Sequence, residues 1–206
     1  GIDYSSALNP SREIKPVPEA EFKRLRDESE EFFDSYVAFW ADAAKGYGNH
    51  FSDVRLSAVK IENGKETDSF YRILQDSRSS HERAVKRAAR FGIDEEMLAT
   101  AVPLNEASDE FFKFADNLPL VNTSALTSQG KRLIRLARYG QKTEITNPVV
   151  DLLDTAAEVS EDYDMENNTR DFLLSHFHLT DGTDGLSQAR NSSAIYEGLK
   201  KEHQGS

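Results

Sequence analysis

Between residues 22 and 43, Phe22, Leu25, Ser29, Phe32, Tyr36, Phe39 and Ala43 follow one another in alternating steps of three and four. Phe33, Val37, Trp40 and Ala44 widen the same stripe. That period places them on one side of an α-helix. Pro18 suits the first helical position and Glu19 and Glu21 suit the first turn, so the spacing predicts one continuous helix over 18–45 that ends near Gly46 or Gly48. Seven aromatics, Phe22 to Tyr47, fall in this stretch. They form either a core face, with Trp40 buried, or a groove that receives a partner helix.

The rest of the chain is read against this helix. Residues 1–17 contain Pro10 and Pro16 and lack periodicity, which predicts an extended arm. The span 50–70 reads as a short helix through Phe51, Val54, Ala58 and Ile61. A hairpin about Asn63-Gly64 is the alternative, but Lys65 to Ser69 offer no apolar alternation for a second strand. Phe70, Leu74, Ser77, His81, Ala84, Ala88 and Phe91 again step by four and three, toward a left-handed cap at Gly92. Asp94 caps a short helix through Met97 and Leu98, and Ser108 caps another through Phe111, Phe112 and Ala115. Further helices are expected at 124–139, from Asn147-Pro148 through Ala157, and over RDFLLSHFHL. Residues 187–206 read as a polar tail with a short helix near Ile195 and Leu199. The expected organisation is thus an arm at 1–17, a helical domain at 18–186 and a tail at 187–206.

The stretch KRLIRLARYGQK, 131–142, carries five positive charges in a chain of net charge −11. On a helix, Lys131, Arg135, Arg138 and Lys142 form one stripe. Asp151, Asp154, Glu158 and Glu161 form another on the next predicted helix. The short connection TEITNP predicts an antiparallel helical hairpin, with Arg138 facing Asp154 and Arg135 facing Glu158. A second basic face, Arg83, Lys86, Arg87 and Arg90, has no such acidic stripe. It reads as a solvated helix end or as a contact for an acidic protein, a phospholipid headgroup or a phosphorylated ligand.

No catalytic or cofactor motif stands out. Cysteine is absent, which excludes disulfides, thiolate metal sites and cysteine nucleophiles. His176 and His178 have no carboxylate at ligand spacing. Asp162, Asp164 and Glu166 open like a calcium loop, but Asn167 stands where glycine is needed and Leu173 where the bidentate glutamate belongs. No Walker loop, dinucleotide fingerprint or nucleophile elbow is present. No metal and no cofactor is therefore expected, and the acidic balance argues against nucleic acid as partner. No run has the length of a membrane span. A soluble, cytoplasmic setting is preferred, though nothing fixes the compartment or the oligomeric state.

These features predict an all-α single domain of six to eight helices that acts as a non-enzymatic protein–protein interaction module: adaptor, regulator or assembly subunit. Arg83, Lys86, Arg87 and Arg90 are its candidate partner-binding residues. The alternatives are a peripheral module that binds anionic lipid through that face, or an enzyme with dispersed catalytic residues.

Overall fold

Residues 36–45 make the central strand of a sheet instead of the second half of a helix. The computed structural model describes residues 32–45, 51–140 and 144–205, and in it Tyr36–Lys45 form strand β1. Tyr36, Val37, Ala38 and Phe39 are all fully buried, because both faces of the strand are covered. A strand covered on both sides shows no polar–apolar alternation, and its aromatics match a helical step as well as they match a strand. The part of the predicted helix before residue 32, the predicted arm, and Tyr47 lie outside the described residues.

Phe51–Glu62 form β2 and Lys65–Gln75 form β3. They are joined at Asn63-Gly64, whose φ values of 52° and 80° are those of a type I′ hairpin turn. The hairpin set aside above is the one that forms. Lys65 to Ser69 lack alternation because this half of β3 is exposed on both faces. Beyond β3, the chain makes α1 (His81–Ala89), α2 (Glu95–Leu98), β4 (Val102–Pro103), α3 (Leu104–Ala115), β5 (Leu120–Asn122), α4 (Ser128–Tyr139), β6 (Val149–Asp151), α5 (Leu152–Val159), α6 (Arg170–His176) and α7 (Gly185–Gln204).

The described residues thus contain seven helices and a six-stranded sheet of order β4-β3-β2-β1-β5-β6, and the all-α bundle is overturned. β1, β2 and β3 are antiparallel neighbours. β5 pairs parallel with β1, β6 parallel with β5, and β4 parallel with β3. On one face Val37, Phe39 and Ala41 pack with Phe111 of α3 and Leu133 of α4. On the other, Tyr36 and Ala38 pack with Leu152 of α5 and Tyr196 of α7.

This arrangement also removes the predicted helical hairpin. Asn147 and Pro148 do not open a helix. Asn147 donates to the Asp116 and Leu118 carbonyls at 2.8 Å each, and β6 follows. α4 and α5 then lie on opposite faces of the sheet, and Arg135 pairs with Asp53, not Glu158. Asp151 is no stripe residue either: it caps α5, accepting from the Leu153 and Asp154 N–H groups.

The predicted polar tail is largely α7, twenty residues long. Its buried positions Gly185, Ala189, Ser192, Tyr196 and Leu199 step by four and three, small at the start and large at the end. A Cβ on Gly185 would stand 2.0 Å from Ser57 Oγ, so the helix begins in close contact with β2. Farther along, the Tyr36 and Tyr196 rings meet edge to face at 4.8 Å. Lys200 Nζ donates to the Phe33 carbonyl at 2.7 Å.

Candidate functional site

The chain leaves β1 toward β2 on one side and returns to its other side with β5. Open α/β sheets bind ligands at such a switch, outside the carboxyl ends of the parallel strands. The β1–β5 pairing reaches Ala38 and Val121, while β1 runs on to Lys45. From Phe39 onward this edge of β1 therefore has no strand beside it, and it is there that the switch-point crevice of an open sheet lies.

Side chains complete the hydrogen bonding of that edge. Asn122 Nδ2 donates to the Phe39 carbonyl at 2.6 Å. Gln129 Oε1 accepts from Ala41 N–H at 2.7 Å, and its Nε2 donates to the Ala41 carbonyl at 2.9 Å. Arg132 Nη1 donates to that same carbonyl at 2.7 Å. Asn122 and Gln129 are 0 % and 2 % exposed, so two neutral amides form the floor of the crevice. Arg132 is half-buried. Burial, with Arg135 next, lowers its pKa against the pull of Asp42 and Asp53, and among the described residues it forms no ion pair with a carboxylate.

Residues 40 and 42 share the α7 side of β1. Trp40 Nε1 donates to Asp42 Oδ1 at 3.0 Å, and Arg55 Nε donates to Asp42 Oδ2 at 2.8 Å. The Arg55 guanidinium also donates to the Phe91 and Thr183 carbonyls at 3.3 and 3.2 Å. Burial opposes its charge, but Asp42 and the hydrogen bonds to Tyr71 and Asp42 outweigh that and raise its pKa. The Arg170 guanidinium lies 4.8 Å from the Trp40 ring and pairs with Asp181 at 3.1 Å.

Asp53 and Arg55 are two apart on β2 yet face opposite layers. Asp42 pairs with Arg55 and Ala43 with Asp53, so Val54 is a bulge. Asp53 is thereby turned to Arg135 of α4. From Arg132 the positive charges continue along the same end of the sheet. Arg135 comes next, then Arg78, which pairs with Asp76 at 2.8 Å, then Arg87, close enough to feel Asp76 and Arg78.

Of the residues singled out in the sequence, Arg83, Lys86 and Arg90 sit exposed on and just after α1, and Arg87 is half-buried. Lys86 pairs with Glu82 at 3.5 Å. Arg87 lines a cleft of about 510 Å³ with Leu74, Asp76, Ser77, His81 and Leu98. None of the four forms the β1 edge. The crevice residues Trp40, Asp42, Arg55, Asn122, Gln129 and Arg132 were all missed. Only Arg132, in the basic stretch, and Trp40, in the aromatic stripe, belonged to a noted feature.

Solved structures place this architecture. A full-length 3′-exonuclease matches with a TM-score of 0.56 at 11% identity, covering 85% of this chain and 84% of that one. The nuclease domain of 3′hExo, a DEDDh family member bound to rAMP, matches with a TM-score of 0.58 at 13% identity, covering 84% and 94%. The fold is shared with 3′-exonucleases. A third match, a 3′-exonuclease in 3′-end specific recognition of a histone mRNA stem-loop, has a TM-score of 0.57 at 11% identity and covers 89% and 70%. No protein-family model and no curated sequence matches the chain.

Two expectations are corrected by these matches. A helical interaction module does not describe an α/β exonuclease fold. The exclusion of nucleic acid, drawn from net charge, does not hold for a fold whose other members are seen with an mRNA stem-loop and with rAMP.

Nucleases commonly hydrolyse phosphodiesters with two divalent cations about 3.5–4 Å apart, which several carboxylates must hold. The residues of this crevice do not fit such a pair. Asp42 is taken by Arg55 and Trp40. Asp151, at the end of β6, accepts from the Leu126, Leu153 and Asp154 N–H groups. Asp184 caps α7, accepting from Ser187 N–H at 2.8 Å and its Oγ at 2.6 Å. Among the described residues no group of three or more His, Asp or Glu could hold a metal ion.

Proposed function

We propose that this protein binds the 3′ end of single-stranded RNA at the crevice along β1. The observation that carries the reading is the crevice's charge on an exonuclease fold. Asp42 is neutralised by Arg55 and Asp53 by Arg135, so Arg132, which feels both carboxylates but forms no ion pair with either, leaves the set with one net positive charge. Phosphate contacts of this kind supply most of the affinity for nucleic acid. Trp40 beneath the Arg170 guanidinium offers an aromatic ring and a planar cation for base stacking, typically about 1–3 kcal/mol per base. Arg135 and Arg78 are paired with Asp53 and Asp76, so the positive charge beyond Arg132 resumes at Arg87, with Arg83, Lys86 and Arg90 as its outer part. The net charge of −11 opposes approach from afar, but screening confines such repulsion to about 8 Å at physiological salt.

Trp40 is the sole tryptophan, so its fluorescence reports on the crevice directly. Titration with a short single-stranded RNA bearing a free 3′-hydroxyl should change that fluorescence saturably. Single-stranded DNA of the same sequence serves as the comparison. With about three phosphates neutralised, log K should fall with log salt at a slope near −2. Absence of a saturable change, or binding indifferent to salt, would remove the reading.

A further inference from the structure

The charges of the crevice decide more than whether RNA binds; resting on the reading above, they also decide how. Around the Ala41–Asp42 segment stand two carboxylates, Asp42 and Asp53, and three guanidiniums, Arg55, Arg132 and Arg135. Around them are the indole of Trp40 and the amides of Asn122 and Gln129. A divalent cation entering this set would meet a net positive charge and carboxylates with both oxygens already occupied. A phosphodiester would meet a guanidinium that spends one donor on a main-chain carbonyl and has others to offer.

We infer that Arg132 takes the electrostatic place of divalent cations in this crevice, and that the protein holds an RNA 3′ end without metal and without cleaving it. Several features support this. Gln129 and Asn122 fix the β1 edge with neutral groups, where metal ligation would need anionic oxygens. Trp40 occupies the position that shares a strand face with Asp42, so no second carboxylate stands beside it. Arg132 is set in place by its bond to Ala41 while burial keeps it from bulk water, which strengthens its attraction for an anion.

Three measurements on the intact chain test the inference. Free Mn²⁺ followed by electron paramagnetic resonance should show no stoichiometric uptake by the protein alone up to about 1 mM. Uptake that disappears in Asp42→Asn would overturn the inference, whatever RNA does. The RNA dissociation constant should be the same in EDTA and in Mg²⁺ within about twofold, and end-labelled RNA should stay full length in Mg²⁺ or Mn²⁺. A Mg²⁺ enhancement of tenfold or more, or shortening that Asp42→Asn abolishes, would equally overturn it. In EDTA, Arg132→Gln should weaken binding about tenfold and flatten the salt slope by about 0.7, while Arg132→Lys should retain part of the affinity. A folded Arg132→Gln that binds like the parent would refute the role given to Arg132; if that variant does not fold, Arg132→Lys with an unaltered salt slope supports it and an altered slope counts against it. If the parent protein binds no RNA, the proposed function falls, and the Mn²⁺ titration still decides whether the crevice is a metal site.

Discussion

The peptide group of Ala41 has its hydrogen bonds made by a residue 88 positions away. Gln129 replaces a neighbouring strand there, and Leu at that position would leave the buried Ala41 N–H without its acceptor. Gln129→Leu should cost about 1–3 kcal/mol in urea unfolding, with the Ala41 carbonyl still served by Arg132. Asp151 makes a second prediction. Burial, the largest cause, raises its pKa from 3.8 to about 6 against the pull of its hydrogen bond from Leu126. The native state therefore holds the proton more tightly than the unfolded chain does. Its stabilising effect is complete below about pH 4 and is lost as pH rises through about 6, a change on the order of 3 kcal/mol. That component of the stability profile should be missing in Asp151→Asn. Such roles leave little trace in sequence. Gln129 and Asn122 look like ordinary polar residues until the fold brings Phe39 and Ala41 to them. Arg132 escaped notice because a helical stripe through Lys131, Arg135 and Arg138 passes it by.

At the level of elements, legibility followed burial. The Asp94 cap, the turn at Gly92 with φ 72° and the helix beginning at Arg170 are set by local chemistry, and the sequence reading placed them. β1 was misread because both its faces are covered. α7 was underrated because its stripe begins with Gly185, Ala189 and Ser192, residues that record close approach more than apolar surface. Ile195, Tyr196 and Leu199 are fully buried, each contributing about 1.5–3 kcal/mol. The first turn of α7 gives the test. Gly185→Ala would drive its Cβ into Ser57 Oγ and should destabilise by about 1–3 kcal/mol. Adding Ser57→Gly should recover most of that loss, since the two positions touch. Additive losses would mean that the helix is seated by other contacts.

For the molecule as a whole, net charge and local charge point in opposite directions. A chain at −11 repels itself, so raising salt from about 20 to about 200 mM should raise the melting temperature. The same change should weaken RNA binding. Opposite trends separate a screened body from a positive crevice; parallel trends would mean that the overall charge governs both. The bulge at Val54 has a related consequence. In a regular strand Asp53 and Arg55 would lie side by side on one face and neutralise each other. The extra residue keeps them apart, so Asp42–Arg55 and Asp53–Arg135 form two circuits on opposite sides of the sheet, bridged by Arg132, which feels both carboxylates. Removing one pair should alter the energy of the other only as far as Arg132 relays it, a crosstalk that a double-mutant cycle across the sheet would measure directly.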